Sequence, residues 1–337
     1  MRVLAQKSPK LSLDMKDWRI LKELISNVRQ PLSQIAQKTL LSRQSVEYRI
    51  NQLYENQLII GSRTIIHTKK IGYKSYHIFI EVHTPKDEQL LITRSLKAQY
   101  VNAIIVYSGK YNLEISLMAQ TETEFLTLYH ELTSNINIRN DATLILLDTL
   151  RSEVLPQNYF PKLKETNKLI QETKTTTKLK PEKPLDHFDT TLLFELSKNA
   201  TTTNIALAHQ LKSSKDTIAQ HIKSLEQRRY IVQYRPVINY AVLDLSINSV
   251  LIKINPNPKS TEQFEQFLKT HGSILWATKT FGHFDYLVYI ITKNLDEFHD
   301  VINTIKEQFQ NLIKTYEILF AFKEMKYDFM AESIVKK

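Results

Sequence analysis

The chain has 337 residues, 42% hydrophobic and 24% charged, an ordinary balance for a globular protein and enough length for at least two domains. It has no cysteine, which excludes disulfides, thiolate metal sites and a cysteine nucleophile, and its ten histidines never fall at the i, i+4 spacing of a zinc-protease helix. The net charge of +10 is uneven: +3 on residues 1–12, +5 on 13–72, −3 on 73–155, +4 on 156–184, +1 on 185–244 and zero on 245–337.

Residues 1–12 form a basic arm without an apolar run of signal-peptide length. No stretch approaches the ~18 apolar residues of a membrane-spanning helix. A cytoplasmic protein with no membrane partner is expected. The positive arm, first block and linker suit a polyanion partner.

The dominant feature is a repeat. Residues 13–66 and 185–238 align without a gap at an offset of 172, with 14 identities in 54 pairs. A duplication of this length sets the domain plan. In the first block, Ile20, Leu21, Leu24 and Ile25 mark one helix, and Ile35 and Ala36 a second short one. Ser42 stands as the N-cap of a third, with Val46, Ile50 and Leu53 on one face. The second copy repeats this with Leu192, Leu193 and Leu196, then Leu207 and Ala208, then Ser214, Ile218, Ile222 and Leu225.

Three short helices with a tight last connection are the pattern of a helix-turn-helix. The polar face of the third helix carries Ser42, Arg43, Gln44, Ser45, Tyr48, Arg49 and Gln52. Arginine can fork to guanine and glutamine to adenine, while serine and threonine reach bases or phosphates. The second copy offers Ser214, Lys215, Asp216, Thr217, Gln220, His221 and Ser224, a less basic set. Short β runs follow (58–60 and 63–66; 230–232 and 235–238) and fit a two-stranded wing in each copy. Arg63 and Arg235 occupy matching places there and are candidates for phosphate contact. Double-stranded DNA is the expected partner.

From Ser75 the period changes. Ser75–His83, Val101–Ser108, Leu113–Gln120 and Ile138–Asp148 read as strands, and Asp87–Gln99 and Glu122–Leu132 as helices. The second copy gives strands Ser249–Ile254, Ile274–Phe281, Tyr286–Ile291 and Ile313–Phe322, with helices Thr261–His271 and Leu295–Gln310. The offset becomes 173. This βαββαβ order makes an antiparallel sheet with both helices on one face. The open face needs a cover, for which a second copy is the natural choice. Between the middle strands lie Gly109-Lys110-Tyr111-Asn112 and Gly282-His283-Phe284-Asp285, holding two of the chain's five glycines.

In order and spacing, Leu13-Asp14, Asp17, Ile35-Ala36, Ser42, Arg49-Ile50 and Gly109-Lys110-Tyr111-Asn112, with their second-half counterparts, resemble the Lrp/AsnC family. The resemblance covers nearly the whole chain outside arm and linker. It implies an α+β fold: a winged helix-turn-helix plus a βαββαβ ferredoxin-like (RAM or AsnC-type) effector and dimerisation domain, repeated twice. Boundaries are expected at 1–12 (arm), 13–72 and 185–244 (helix-turn-helix), 73–155 and 245–337 (ferredoxin-like) and 156–184 (linker). It implies a sequence-specific transcription regulator, not an enzyme, without cofactor or metal. A small-molecule effector such as an amino acid would sit near Gly109, Tyr111, Asn112, Gly282, Phe284 and Asp285. The halves would join as an intrachain pseudo-dimer, or as a homodimer through the ferredoxin-like sheets. Leu40 and Lys212 stand where the family commonly has glycine before the third helix.

Two rivals share this plan. Siroheme decarboxylases also occur as fused tandem chains, and Tyr111-Asn112 resembles a piece of their pattern. Their histidine before Tyr-Asn is replaced here by Gly109, and their following tryptophan is absent. The other rival is an interaction scaffold with residual DNA binding. The linker, rich in Lys, Thr, Glu and Pro, spans up to ~100 Å when extended and leaves the placement of the halves open.

Overall fold

A computed structural model describes residues 2–3, 11–161 and 185–336. The linker run Leu163 to Glu172, whose sequence allows a short helix, lies outside the described residues, as does most of the arm. A strand β1 (Arg2–Val3) precedes three helices, α1 (Met15–Ser26), α2 (Leu32–Thr39) and α3 (Arg43–Glu55), and strand β2 (Ile59–Ile66). Asp14 caps α1 by accepting from the amides of Lys16 and Asp17, and Asp17 answers through the Asp14 amide. Leu40 ends α2 in the left-handed region at φ 57°, and Lys212 repeats this at φ 49°. A side chain is disfavoured there, so the turn is held against its local preference by Ile35 and Val46 on either side, both buried. The Ser42 hydroxyl accepts from Ser45 N at 3.2 Å and opens α3.

The first ferredoxin-like block follows as β3 (Lys74–Val82), α4 (Pro85–Lys97), β4 (Val101–Gly109), β5 (Leu113–Ala119), α5 (Glu122–Thr133) and β6 (Ile138–Ser152). The second half repeats the plan. Its helix-turn-helix comprises α6 (His187–Lys198), α7 (Asn204–Gln210), α8 (Lys215–Gln227) and β7 (Ile231–Ile238). Its sheet block comprises β8 (Ser246–Ile254), α9 (Pro258–Thr270), β9 (Ile274–Gly282), β10 (Tyr286–Thr292), α10 (Leu295–Phe309) and β11 (Ile313–Tyr327). The α+β fold read from the sequence is the one observed. Among the described residues no helix is long and apolar enough to cross a membrane.

The wing expected in each copy is absent. Each helix-turn-helix contributes one continuous strand, and β2 pairs antiparallel with β7 of the other half, Arg63 opposite Arg235. A lone strand cannot satisfy its own amides, and the other copy supplies the partner. Helices are exchanged across this ribbon: α1 packs on β7, and α6 on β2. Arg29 reaches across to the carbonyls of Ala200 and Thr202 and to Asn204. The two helix-turn-helix units are therefore interlocked.

Below the ribbon the sheet blocks join edge to edge. The order β6-β3-β5-β4 continues through β4–β11 and β6–β9 into β11-β8-β10-β9, closing an eight-stranded barrel within one chain. Of the two arrangements expected, this is the intrachain pseudo-dimer. Strands β6 and β11, 15 residues each, run from their own sheet into the other half's. Helix-facing residues such as Ile78, Ile115 and Ile104 pack under α4 and α5, and Val250, Ile252 and Val288 under α9 and α10. Alternate residues face the interior, whose apolar cluster runs up into both helix-turn-helix cores.

Candidate functional site

On α3, Arg43, Gln44 and Tyr48 are exposed, Tyr48 at 65%. Among the described residues these side chains stay open to solvent. Ser45 is half-buried, and Gln52 donates to Glu55 at 2.6 Å. Lys215 and Gln220 are exposed on α8, while the Thr217 hydroxyl meets that of the cap Ser214 at 2.8 Å. Arg49 departs from its expected DNA role. Its guanidinium binds Asp14 at 2.8 Å and Asp17 at 2.6 Å, tying α3 to the first turn of α1. The bond to Asp17 holds its pKa above the ordinary value. His221 repeats the tie, with Nδ1 2.7 Å from Asp189, which Arg228 also approaches. Both residues are engaged in head architecture.

Arg63 and Arg235 are also corrected. They do not lie on outer wings, because the ribbon turns them inward. Arg235 donates to the Ser152 hydroxyl at 2.9 Å, to the Ser152 carbonyl at 2.7 Å and to Gln233 at 2.7 Å. Burial lowers its pKa. Arg63 binds the carbonyls of Ser62 and Lys198 and lies 3.5 Å from Asp328.

The six residues expected around an effector sit at the two hairpins. Tyr111 and Phe284 are buried side chains of the core. Asn112 accepts from Val82 N at 3.0 Å; Asp285 accepts from Ile254 N at 2.8 Å and pairs with Lys253 at 3.0 Å. Each carboxamide or carboxylate thus pins a neighbouring strand. Gly109 and Gly282 have φ of +145° and +138°. A Cβ at Gly109 would lie 2.9 Å from the Ile318 carbonyl, and one at Gly282 2.2 Å from the Thr143 carbonyl. Both glycines are therefore required where one half's strand meets the other's.

A cavity of about 730 Å³ lies between the ribbon and the barrel mouth, and none of those six residues lines it. Arg63 and Arg235 face it from the ribbon, Lys326 from the end of β11, and Tyr107, Trp276 and Tyr289 from the barrel. Burial lowers the pKa of Lys326. Glu153, Glu324 and Asp328 balance these cations, and the Trp276 and Tyr289 rings lie 5.0 Å apart. A chamber of this size with aromatic faces and charged groups of both signs has room for a flat ring system with polar arms. Among the described residues no cluster of three metal-ligating side chains occurs. Sequence reasoning missed the chamber because segments far apart in the chain, from both halves, build it. One signal was present: Arg63 and Arg235 are identical across a repeat that differs at most positions.

Residues 13–53 match the AsnC-type helix-turn-helix domain, 185–232 a winged helix-turn-helix DNA-binding domain, and 249–330 the Lrp/AsnC ligand binding domain. Leucine-responsive regulatory protein of Escherichia coli (strain K12) is 30% identical over 115 residues, covering 33% of this chain and 70% of that protein. Its counterpart in Haemophilus influenzae is 24% identical over 152 residues, covering 44% and 92%. Among solved structures, the siroheme decarboxylase NirDL aligns over 95% of this chain and 96% of its own, with a TM-score of 0.64 and 13% identity. It has also been solved with an iron-uroporphyrin III analogue. That likeness, which concerns the fold, corrects the expectation that the chain is not an enzyme. The whole tandem plan, ribbon and barrel included, is one on which an enzyme is built. By its domains and by its likeness to leucine-responsive regulatory protein, the chain belongs to the Lrp/AsnC family of DNA-binding regulators.

Proposed function

We propose that this tandem chain is an enzyme of the siroheme-decarboxylase kind, taking a tetrapyrrole with carboxylate arms into the chamber between ribbon and barrel. The observation that carries the reading is the chamber itself, with Arg63, Arg235 and Lys326 set around aromatic walls. Guanidinium and ammonium groups attract carboxylates, and aromatic rings stack on a macrocycle. The end-to-end likeness to a siroheme decarboxylase supports the same reading. Titration of the purified chain with siroheme tests the proposal. The expected result is a shifted absorption band and a product lighter by CO2. Free siroheme spectra in excess protein would reject it. An amino acid in the same titration serves as the rival occupant.

A second reading, sequence-specific DNA binding and transcription regulation, is favoured by the exposed Arg43, Gln44 and Tyr48 on α3 and the +5 charge of residues 13–72. Binding to random duplexes that weakens steeply with salt would support it, and no retardation at low salt would reject it. Both readings go with a cytoplasmic protein.

A further inference from the structure

Inside the barrel, beneath the chamber floor, Glu114 is 1% exposed. His77 Nδ1 lies 2.6 Å from its Oε1, Tyr107 donates to Oε2 at 2.6 Å, and Tyr289 donates to Oε1 at 3.0 Å. The Tyr107 hydroxyl is also 2.8 Å from Ser249 Oγ. Tyr107, Ser249 and Tyr289 line the chamber, so the cluster reaches from open space into the core. It is built once. Strand register sets Leu287 against Leu251 as Glu114 is set against Phe79, so leucine holds the matching place in the second half. Ser249 likewise matches His77, and Thr280 matches Tyr107. The fold evidently accepts an apolar residue there, and a buried carboxylate is weak support for stability. Chemistry is the better reason for it.

We propose that Tyr107 is the proton donor to the molecule in the chamber, and that Glu114 and His77 are positioning residues that hold its phenol. This rests on the enzymatic reading above. In the step, the bond between the methylene and carboxylate carbons of an acetate arm breaks. CO2 leaves, and the electron pair stays on the methylene carbon, delocalised into the macrocycle. The phenol turns from Glu114 and gives its proton to that carbon, which becomes a methyl group. Glu114 keeps two other partners, His77 Nδ1 at 2.6 Å and the Tyr289 hydroxyl at 3.0 Å, so the turn does not leave it alone. The phenolate recovers its proton from water when the product leaves, and no oxidant or reductant is required. Burial and the neighbouring Glu114 hold the Tyr107 pKa well above its ordinary value, so the resting phenol carries its proton.

The test uses the full chain and siroheme, reading binding by absorbance and single-turnover loss of CO2 by mass. Tyr107→Phe should bind within about twofold of the unaltered protein and react at least ~100-fold more slowly, the lower range of general-acid effects. Glu114→Gln should lower kcat about tenfold with KM unchanged, and Tyr289→Phe should lose less. Should Tyr107→Phe not fold, Tyr107→Thr copies the second half's Thr280 and carries the same expectation. Binding with full turnover by either Tyr107 variant overturns the assignment alone. An unaltered chain that binds siroheme without CO2 loss, or does not bind it, overturns the enzymatic reading and this assignment with it.

Discussion

The two halves share a backbone and differ in chemistry. Their caps coincide, Asp14 with Asp186 and Ser42 with Ser214, and so do their left-handed residues, Leu40 with Lys212 and Gln57 with Arg229. Their charges do not. The first head carries +5 against +1, and the first sheet block buries Glu114 where the second has Leu287. A homodimer would carry each such group twice. Fusion lets one half hold the acid while the other supplies plain packing and two hydroxyls, Ser249 and Tyr289.

That comparison can be broken at the seams first. Gly282→Ala forces a Cβ against the Thr143 carbonyl backbone, whereas Gly109→Ala meets a looser contact with Ile318. Urea unfolding should show a loss of about 3 kcal/mol or more for the former and about 1–2 kcal/mol for the latter. Equal losses would mean that the two seams bear alike. The heads come next. Arg43→Ala should weaken duplex binding about tenfold in a gel shift and Lys215→Ala only a few-fold, since Asp216 beside Lys215 repels phosphate. Equal losses would remove the asymmetry between them. Arg49→Ala should act on stability, by about 1 kcal/mol in thermal unfolding, because Asp14 and Asp17 lose a partner. A DNA defect without a stability change would return Arg49 to the groove.

The smallest expected effect is a pH slope from the second half. Burial, then the Arg151 guanidinium, hold the His271 pKa below its ordinary 6.5. The unfolded chain takes up a proton near pH 6.5 that the folded chain refuses. Stability therefore falls as pH drops below 6.5 and levels off beneath the folded pKa. His271→Gln should flatten that stretch of the curve, and an unchanged curve would clear His271.

Local features were legible in the sequence. Helix stripes and serine caps are set by neighbours within a few residues, and the structure reproduces them. The exchanged ribbon was not legible, because the same β-run can pair with its neighbour or with a strand 172 residues away. Gly61, between the two β runs, lies within β2 at φ +159°, in extended backbone, and makes no turn. Arg49 shows the same limit: its carboxylates lie 32 and 35 residues upstream, and only folding brings them together. Gly109 and Gly282 stand at matching places in the repeat, but the need for glycine there comes from carbonyls of the opposite half. Glu114 was the readable clue to the interior site, a lone acid in the apolar run Leu113–Ala119.

β6 and β11 each serve as a stave shared by both arcs of the ring. The ring is shut by one polypeptide, so dilution that would dissociate a pair of subunits leaves it closed. A change in either arc consequently always faces the same unlike neighbour and is never averaged by pairing with its own copy. Each arc is free to drift toward a separate task while the other keeps the circle whole.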